Sequence, residues 1–347
     1  MIIYWCIWAL SAFNCILQKR ISKFWVFIFL FFLALLVGFR GSEVDKDYPQ
    51  YLKYIEIIES GGFFSIGKTY AGYFFDFISY VALNLGWTGF VFMFYAGTSI
   101  YLKTKLFYMK GNDFSSYILI YCGLFLYLHE FTQIRVGLAI AFAYLAIYYL
   151  CIDDKKKSFL CFAVSVFIHP SALVLGVFYI LRKERFNGLI WFFLLCVSML
   201  AAYFDALHYV ILSVAQIFNI SIINLYIDIL NDGAQNDINV YGIFPLLNAV
   251  LAGICCFYFH EKKIDSFNNF SIKSYLLSSI SWFLLSPIPV LAGRTSQVFL
   301  FAAVFCIPLL GRAISKKYGM LLTFTYSLLS FIAFLYVGSL LNDYQYQ

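Results

Sequence analysis

The sequence has few charged residues. Only 12% of its 347 residues are charged and 63% are hydrophobic, whereas an average soluble domain carries about 25% charged residues. This deficit excludes a soluble globular domain. Repeated apolar runs near the length that a bilayer requires are typical of membrane-crossing helices. The composition therefore predicts an all-α, polytopic membrane protein, with roughly 11–13 membrane segments in a single transmembrane domain over residues 1–347.

Several chemical signatures are also missing. The nine cysteines form no CxxC pair and lie in or beside apolar runs, so we interpret them as small apolar residues and expect no disulfide and no metal. No P-loop, GxGxxG or HExxH motif occurs, and we expect no cofactor. The net charge of +6 is spread over loops, which argues against a nucleic-acid partner.

The basic residues indicate an orientation. Loops 18–23, 103–114, 152–157, 182–186, 260–273 and 312–317 hold three Lys or Arg each, so the positive-inside rule places them in the cytoplasm. Two polar segments, 40–70 and 205–241, are then periplasmic loops. The first apolar run, 1–17, lacks a basic start and precedes three basic residues. We expect it to be an uncleaved span with an external N-terminus.

Two segments do not fit simple spans. Because 40–70 is predicted outside and 103–114 inside, residues 71–102 must cross the membrane an odd number of times. They nevertheless look like two spans, so 71–87 is predicted to be re-entrant or interfacial. The alternative is that 103–114 is an outer loop. Segment 158–182 carries His169-Pro170, and proline disfavours helical geometry in the residue before it. We expect two short helices that meet there, with their tip on the outer side.

Four cationic or titratable residues fall on the outer face: Arg40, Arg135, His169 and Arg294. Ionisable groups at membrane depth are costly and usually face a functional cavity. Guanidinium groups match phosphate oxygens and keep their charge, so three arginines suit a diphosphate. The alternative is that each arginine anchors the chain at the membrane interface.

Two residues could accept a proton. His169 has the more suitable intrinsic pKa. Asp47 ends the acidic run Glu43, Asp45 and Asp47, where a nearby arginine would make a carboxylate a weaker base but a good acceptor for sugar hydroxyls. The choice between His169 and Asp47 stays open. The Asp45-Lys-Asp47 pattern is too short to indicate a metal site.

Tyrosines recur every three residues after Asp47, as Tyr48, Tyr51 and Tyr54. On a helix they would form one aromatic face. That face could be an interfacial belt, or Tyr48 and Tyr51 could shape a site for a sugar ring or a polyprenyl carrier. In segment 205–241, acidic and amide side chains suit a lid or sugar groove: Asp228, Asn231, Asp232, Asn236, Asp237 and Asn239.

These motifs, taken in order, resemble the EpsG-like group of Wzy-type polysaccharide polymerases over roughly residues 25–310. The matching pieces are Phe39-Arg40, Asp47-Tyr48-x-x-Tyr51, Ile134-Arg135 before a small-residue helix, Ile168-His169-x-Ser171-Ala172-Leu173, and Arg294 before an apolar helix. The chain departs from the family pattern at Asp45-Lys46, at Pro170 and at Tyr70-Ala71, which concerns substrate contacts more than the membrane scaffold.

The resemblance implies a glycosyltransferase of the bacterial inner membrane that polymerises O-antigen, lipopolysaccharide or capsule repeat units. Such an enzyme moves a glycan from undecaprenyl diphosphate to a second lipid-linked unit at the periplasmic face, without a metal or cofactor. Its site residues here would be His169 and Asp47 as catalytic residues, Arg40, Arg135 and Arg294 on the diphosphate, and Tyr48, Tyr51 and Ser171 on the sugar. Expected partners are the lipid-linked donor and acceptor, membrane lipids and a chain-length regulator.

Three other functions remain open. A flippase of lipid-linked oligosaccharides would also use intramembrane charges and broken helices, although we detect no internal repeats. An O-antigen ligase would share the donor and differ in the acceptor. A membrane acyltransferase would need a histidine that faces a cytoplasmic acyl donor, and His169 is predicted to face the other side.

Overall fold

The computed structural model describes residues 1–17, 23–111, 113–181, 185–206, 210, 239–338 and 341–344. Fifteen α-helices run through this part of the chain. They are α1 Ile2–Ile16, α2 Lys23–Gly38, α3 Tyr48–Gly61, α4 Tyr73–Asn84, α5 Gly89–Lys110, α6 Phe114–Ile120, α7 Ile134–Cys151, α8 Lys155–Ile168, α9 Phe178–Leu181, α10 Gly188–Tyr203, α11 Ile243–Phe259, α12 Ser266–Leu284, α13 Pro289–Leu300, α14 Ala303–Ile314 and α15 Lys316–Ile332.

Shorter helical turns complete the backbone. Gly62–Ser65 and Pro170–Val177 are 3₁₀ helices, and Tyr121–Thr132 and Ala333–Val337 are π-helices. The described ranges contain no strand, and a single isolated bridge pairs Asp45 with Leu341. The predicted all-α membrane fold is confirmed.

Three helical stretches of the described chain are long and apolar enough to cross a bilayer: Phe114–Thr132, Ile134–Cys151 and Tyr318–Val337. A fourth span results if α13 and α14, which bend by 53° at their junction, are counted together. Five shorter apolar helices accompany them: Ile2–Ile16, Phe24–Gly38, Pro170–Leu181, Gly188–Tyr203 and Ile243–Phe259. Length and composition thus qualify three or four complete spans among the predicted membrane segments.

The chain forms two compact units. Unit 1 comprises Met1–Leu173 and Ile307–Gln347, and unit 2 comprises Val174–Cys306. In unit 1, α7 packs against α8 and α5, and α2 also packs on α5. In unit 2, α10, α11 and α12 pack on one another, and α13 packs on α12. The prediction of one transmembrane domain stays a prediction.

Small residues allow close helix approach in unit 1. A Cβ added at Gly311 on α14 would lie 2.6 Å from the Cα of Gly319 on α15, and one added at Gly123 would lie 2.7 Å from the Ser327 carbonyl oxygen. Helices in membranes associate through such small-residue contacts because lipid supplies little hydrophobic driving force between them. These glycines therefore set how closely the C-terminal helices of unit 1 pack.

Both predicted irregular segments are present. Helix α8 ends at Ile168, and His169 is extended with φ −155° and ψ 126° before Pro170 opens a 3₁₀ helix. Helix α4 has only 12 residues, about 18 Å at 1.5 Å per residue, which is short of a bilayer core of about 30 Å. It is bounded by Gly72 and Gly86, both at positive φ. A proline-linked break and a short segment were therefore correctly predicted.

Two lysines of the predicted loops have buried side chains within helices. Lys103 belongs to α5 and Lys273 to α12, and both side chains are buried. Lys103 forms an ion pair with Glu130, while Lys273 donates a hydrogen bond to the Leu181 carbonyl at 2.9 Å. The rule that lysines mark cytoplasmic loops fails for these two because protein partners replace water around their ammonium groups.

Candidate functional site

Arg40, two residues after the C-terminal end of α2, is the best-defined basic group of the candidate site. Its side chain is fully buried, its Nε donates to Asp45 Oδ2 at 2.8 Å and its Nη1 donates to the Val37 carbonyl at 2.9 Å. The guanidinium carbon lies 5.1 Å from the Tyr48 ring centroid and 4.9 Å from that of Phe92. Aromatic faces stabilise a buried cation in this way. Nη2 is also buried and makes no hydrogen bond within the described chain.

Asp45 organises the loop between Arg40 and α3. Its Oδ1 accepts the backbone N–H groups of Asp47 at 3.0 Å and Tyr48 at 2.9 Å, so its carboxylate satisfies the donors at the start of the helix. Burial raises the pKa of the Asp45 carboxyl, and the Arg40 guanidinium opposes that shift. Asp47, one of the two proton acceptors that the sequence offered, is exposed. Reasoning from sequence missed the structural role of Asp45.

Tyr48 and Tyr51 form the inner face of α3, as their spacing predicted. The Tyr48 ring is fully buried and stacks on Phe92 with 4.2 Å between centroids. The Tyr51 ring meets Phe92 edge-on at 6.1 Å. Burial raises the pKa of the Tyr51 phenol to about 12. Both rings are packed inside unit 1, so they support the site through packing and leave little surface for a sugar.

Arg135 reaches the same face of α3 from the start of α7. Its guanidinium carbon lies 5.9 Å from the Tyr51 ring centroid. Its Nη1 donates to the carbonyls of Ala71 at 2.7 Å and Tyr70 at 3.3 Å, and its buried Nε makes no hydrogen bond within the described residues. The structure therefore brings Arg40 and Arg135 onto neighbouring tyrosines of one helix, three residues apart.

A buried carboxylate fixes the loop that Arg135 contacts. Asp76, on the first turn of α4, accepts hydrogen bonds from the N–H groups of Gly67 at 2.8 Å and Thr69 at 3.3 Å and from the Thr69 hydroxyl. Thr69 Oγ1 in turn accepts the Ala71 N–H at 3.1 Å. This network holds the Ala71 carbonyl where Arg135 binds it.

His169 lies at the tip of the α8 break, close to the start of α4. The ring of Phe167, two residues earlier, is 6.1 Å from the Phe74 ring. His169 Nδ1 is 2.8 Å from Ser171 Oγ and accepts the Ser171 backbone N–H at 3.2 Å. Because Nδ1 acts as an acceptor, the proton of the neutral ring is assigned to Nε2. His169 and Ser171 thus form one local unit.

Arg294 is described within unit 2 alone. It lies on α13 and is exposed, and it makes no hydrogen bond or ion pair with the described residues. Its convergence with Arg40 and Arg135 stays a prediction. Of the predicted sugar-binding side chains in 205–241, only Asn239 lies within the described residues.

Comparison with known proteins decides the family. The family model of EpsG matches residues 23–347, nearly the whole chain. The chain belongs to the EpsG family. This is the family of Wzy-type polymerase-like proteins, and membership supports a membrane polysaccharide polymerase-like role of the glycosyltransferase type. No curated protein and no solved structure matched the chain.

This EpsG-family chain also contains a polar cluster that sequence reasoning missed. Lys103, Tyr121, His129 and Glu130 meet in the interior of unit 1, and each is at most 1% exposed. A signal was present in the sequence, because Glu130 is the only acidic residue in the mainly apolar stretch 114–151. Within the described chain, no three His, Cys, Asp or Glu side chains are grouped to hold a metal ion.

Proposed function

We propose that this chain polymerises oligosaccharide repeat units carried on undecaprenyl diphosphate, at the periplasmic face of a bacterial inner membrane. The observation that carries the proposal is the pair of arginines on adjacent tyrosines of α3, in a chain of the EpsG family. Arg40 Nη2 and Arg135 Nε make no hydrogen bond within the described residues, so the two guanidinium groups keep N–H donors and fixed charge of the kind that a diphosphate needs.

The arginines would act on the leaving group. The acceptor hydroxyl oxygen forms a bond to the anomeric carbon of the donor sugar, while the bond from that carbon to the diphosphate oxygen breaks and its electrons pass to the phosphate. Charge therefore develops on the diphosphate. Arg40 and Arg135 each have a buried N–H donor free of protein acceptors in the described chain. Preorganised donors of this kind stabilise developing charge without reorganisation.

The proton of the acceptor hydroxyl would pass to Asp47. Asp47 is exposed beside Tyr48, where an acceptor sugar could reach it, whereas Asp45 is already occupied by Arg40 and the start of α3. His169 would then donate a hydrogen bond from Nε2, with Ser171 holding its other nitrogen. Holding two lipid-linked substrates together supplies a large further share of the rate enhancement.

The test replaces Arg135 and reads the glycan ladder of cells that depend on this polymerase. Arg135→Ala should abolish long chains and leave single repeat units, because the leaving group loses a forked donor. Arg135→Lys should lose nearly as much, since lysine keeps the charge without the planar fork. Lys53→Ala, an exposed lysine on the outer face of α3, is the matched control. A normal ladder from Arg135→Ala, at wild-type abundance, would refute the assignment.

A further inference from the structure

The buried polar cluster has no part in the reaction described above. Lys103 Nζ on α5 lies 2.5 Å from Glu130 Oε1, and the Tyr121 hydroxyl donates to the same oxygen at 2.9 Å. His129 Nδ1 lies 3.4 Å from Lys103 Nζ. Charges buried at this depth are costly to retain and usually have a function.

Three of the four residues lie on the π-helix Tyr121–Thr132. A π-helix has a wider turn than an α-helix and frequently occurs at functional sites. Its wider turn changes which side chains face inward, so a specific contact must select the register. The ion pair from Glu130 to Lys103 supplies such a contact, because Lys103 is held within the 22-residue helix α5.

The end of this π-helix contacts the supports of both arginines. The Phe131 ring, next to Glu130, has its centroid 6.0 Å from the Arg40 guanidinium carbon. On the other side, a Cβ at Gly137 would lie 2.9 Å from the His129 carbonyl oxygen, so the backbone at His129 packs directly on α7 two residues after Arg135. A change of register at Glu130 would move Phe131 and the start of α7 together.

We propose that the Lys103–Glu130 ion pair positions Arg40 and Arg135 for diphosphate binding by fixing the register of the π-helix Tyr121–Thr132. The inference rests on the proposed function, because it assigns the diphosphate to those arginines. Lys103 and Glu130 are positioning residues that act through Phe131 and the start of α7. The Tyr121 hydroxyl fixes the Glu130 carboxylate in the orientation that Lys103 requires.

The experiment uses the purified full chain in detergent and undecaprenyl diphosphate as the probe. The double variant Lys103→Met with Glu130→Leu removes both charges and keeps similar volumes, an exchange that buried ion pairs often tolerate without loss of stability. We expect its thermal midpoint without probe to stay near that of the wild type, while the increase in midpoint caused by the probe disappears. If the ion pair were purely structural, the double variant would have a changed midpoint without probe, and the probe would still raise its midpoint.

A second variant tests the inference if the double variant does not fold. Tyr121→Phe removes only the hydrogen bond to Glu130, and we expect about 2- to 10-fold weaker probe affinity, equivalent to the loss of one hydrogen bond. Tyr101→Phe, an exposed tyrosine on α5, should bind the probe as the wild type does. Full probe binding by the double variant, or by Tyr121→Phe, would overturn the inference. Absence of a probe effect on the wild type would instead overturn the proposed function.

Discussion

Replacement of Asp45 by alanine should cost this protein a large part of its stability. The Arg40 and Asp45 side chains are both fully buried, so the change leaves a buried guanidinium without its counter-ion. Breaking a buried pair from one side costs about 3–5 kcal/mol, and losing the carboxylate that accepts the Asp47 and Tyr48 N–H groups costs about 1 kcal/mol more. The sum of roughly 4–6 kcal/mol is comparable to the whole stability of many domains.

The assay is thermal or denaturant unfolding in detergent, alongside abundance in the membrane. Glu43→Ala is the matched control, since Glu43 is an exposed carboxylate two residues away, and surface changes of this kind stay within about 0.5 kcal/mol. The stability of Asp45→Asn should fall between those of Asp45→Ala and Glu43→Ala, because its amide oxygen can still accept the Tyr48 N–H. Equal stability of Asp45→Ala and Glu43→Ala would refute the account of this pair.

Two further predictions concern packing and titration. Gly311→Ala should destabilise the protein because its Cβ would lie 2.6 Å from the backbone of the facing helix. Gly97→Ala has open space around it and should gain about 0.4–1 kcal/mol of stability. Unfolding midpoints of the two variants would check this, and a gain in stability at both positions would contradict it. The Tyr51 phenol has its pKa raised to about 12 from 10.0, so the stability that it contributes is complete below pH 10 and is lost as the pH rises through 12. Tyr51→Phe should therefore be less sensitive to alkali in that window, and equal sensitivity would disprove the prediction.

Local patterns in the sequence predicted the helical class and the position of its main break. Low charge and long apolar runs left helices as the way to satisfy the backbone in lipid, and Pro170 disfavoured helical geometry at His169 directly. The three-residue spacing of Tyr48 and Tyr51 likewise predicted one face of a helix. These features depend on neighbours along the chain, which a single sequence shows.

The contacts between distant residues could not be predicted in this way. From the sequence, Lys103 is assigned to a loop, because its partner Glu130 lies 27 positions later in the chain. The two residues meet only when α5 and the π-helix pack together. Asp45 and Asp47 look equivalent in sequence, yet one is buried on Arg40 and the other is exposed. Burial separates their chemistry, and it follows from the tertiary fold.

Gly72 illustrates a constraint of a different kind. Its φ of 85° lies in a region that side chains disfavour, although a Cβ there would meet no atom within 4 Å. The substitution is limited by the sign of φ and not by lack of space. D-alanine would therefore fit at this position, whereas L-alanine would be strained. Gly72 directly follows Ala71, whose carbonyl accepts the hydrogen bond from Arg135, so the absence of a side chain at Gly72 helps to set the direction of the Arg135 guanidinium.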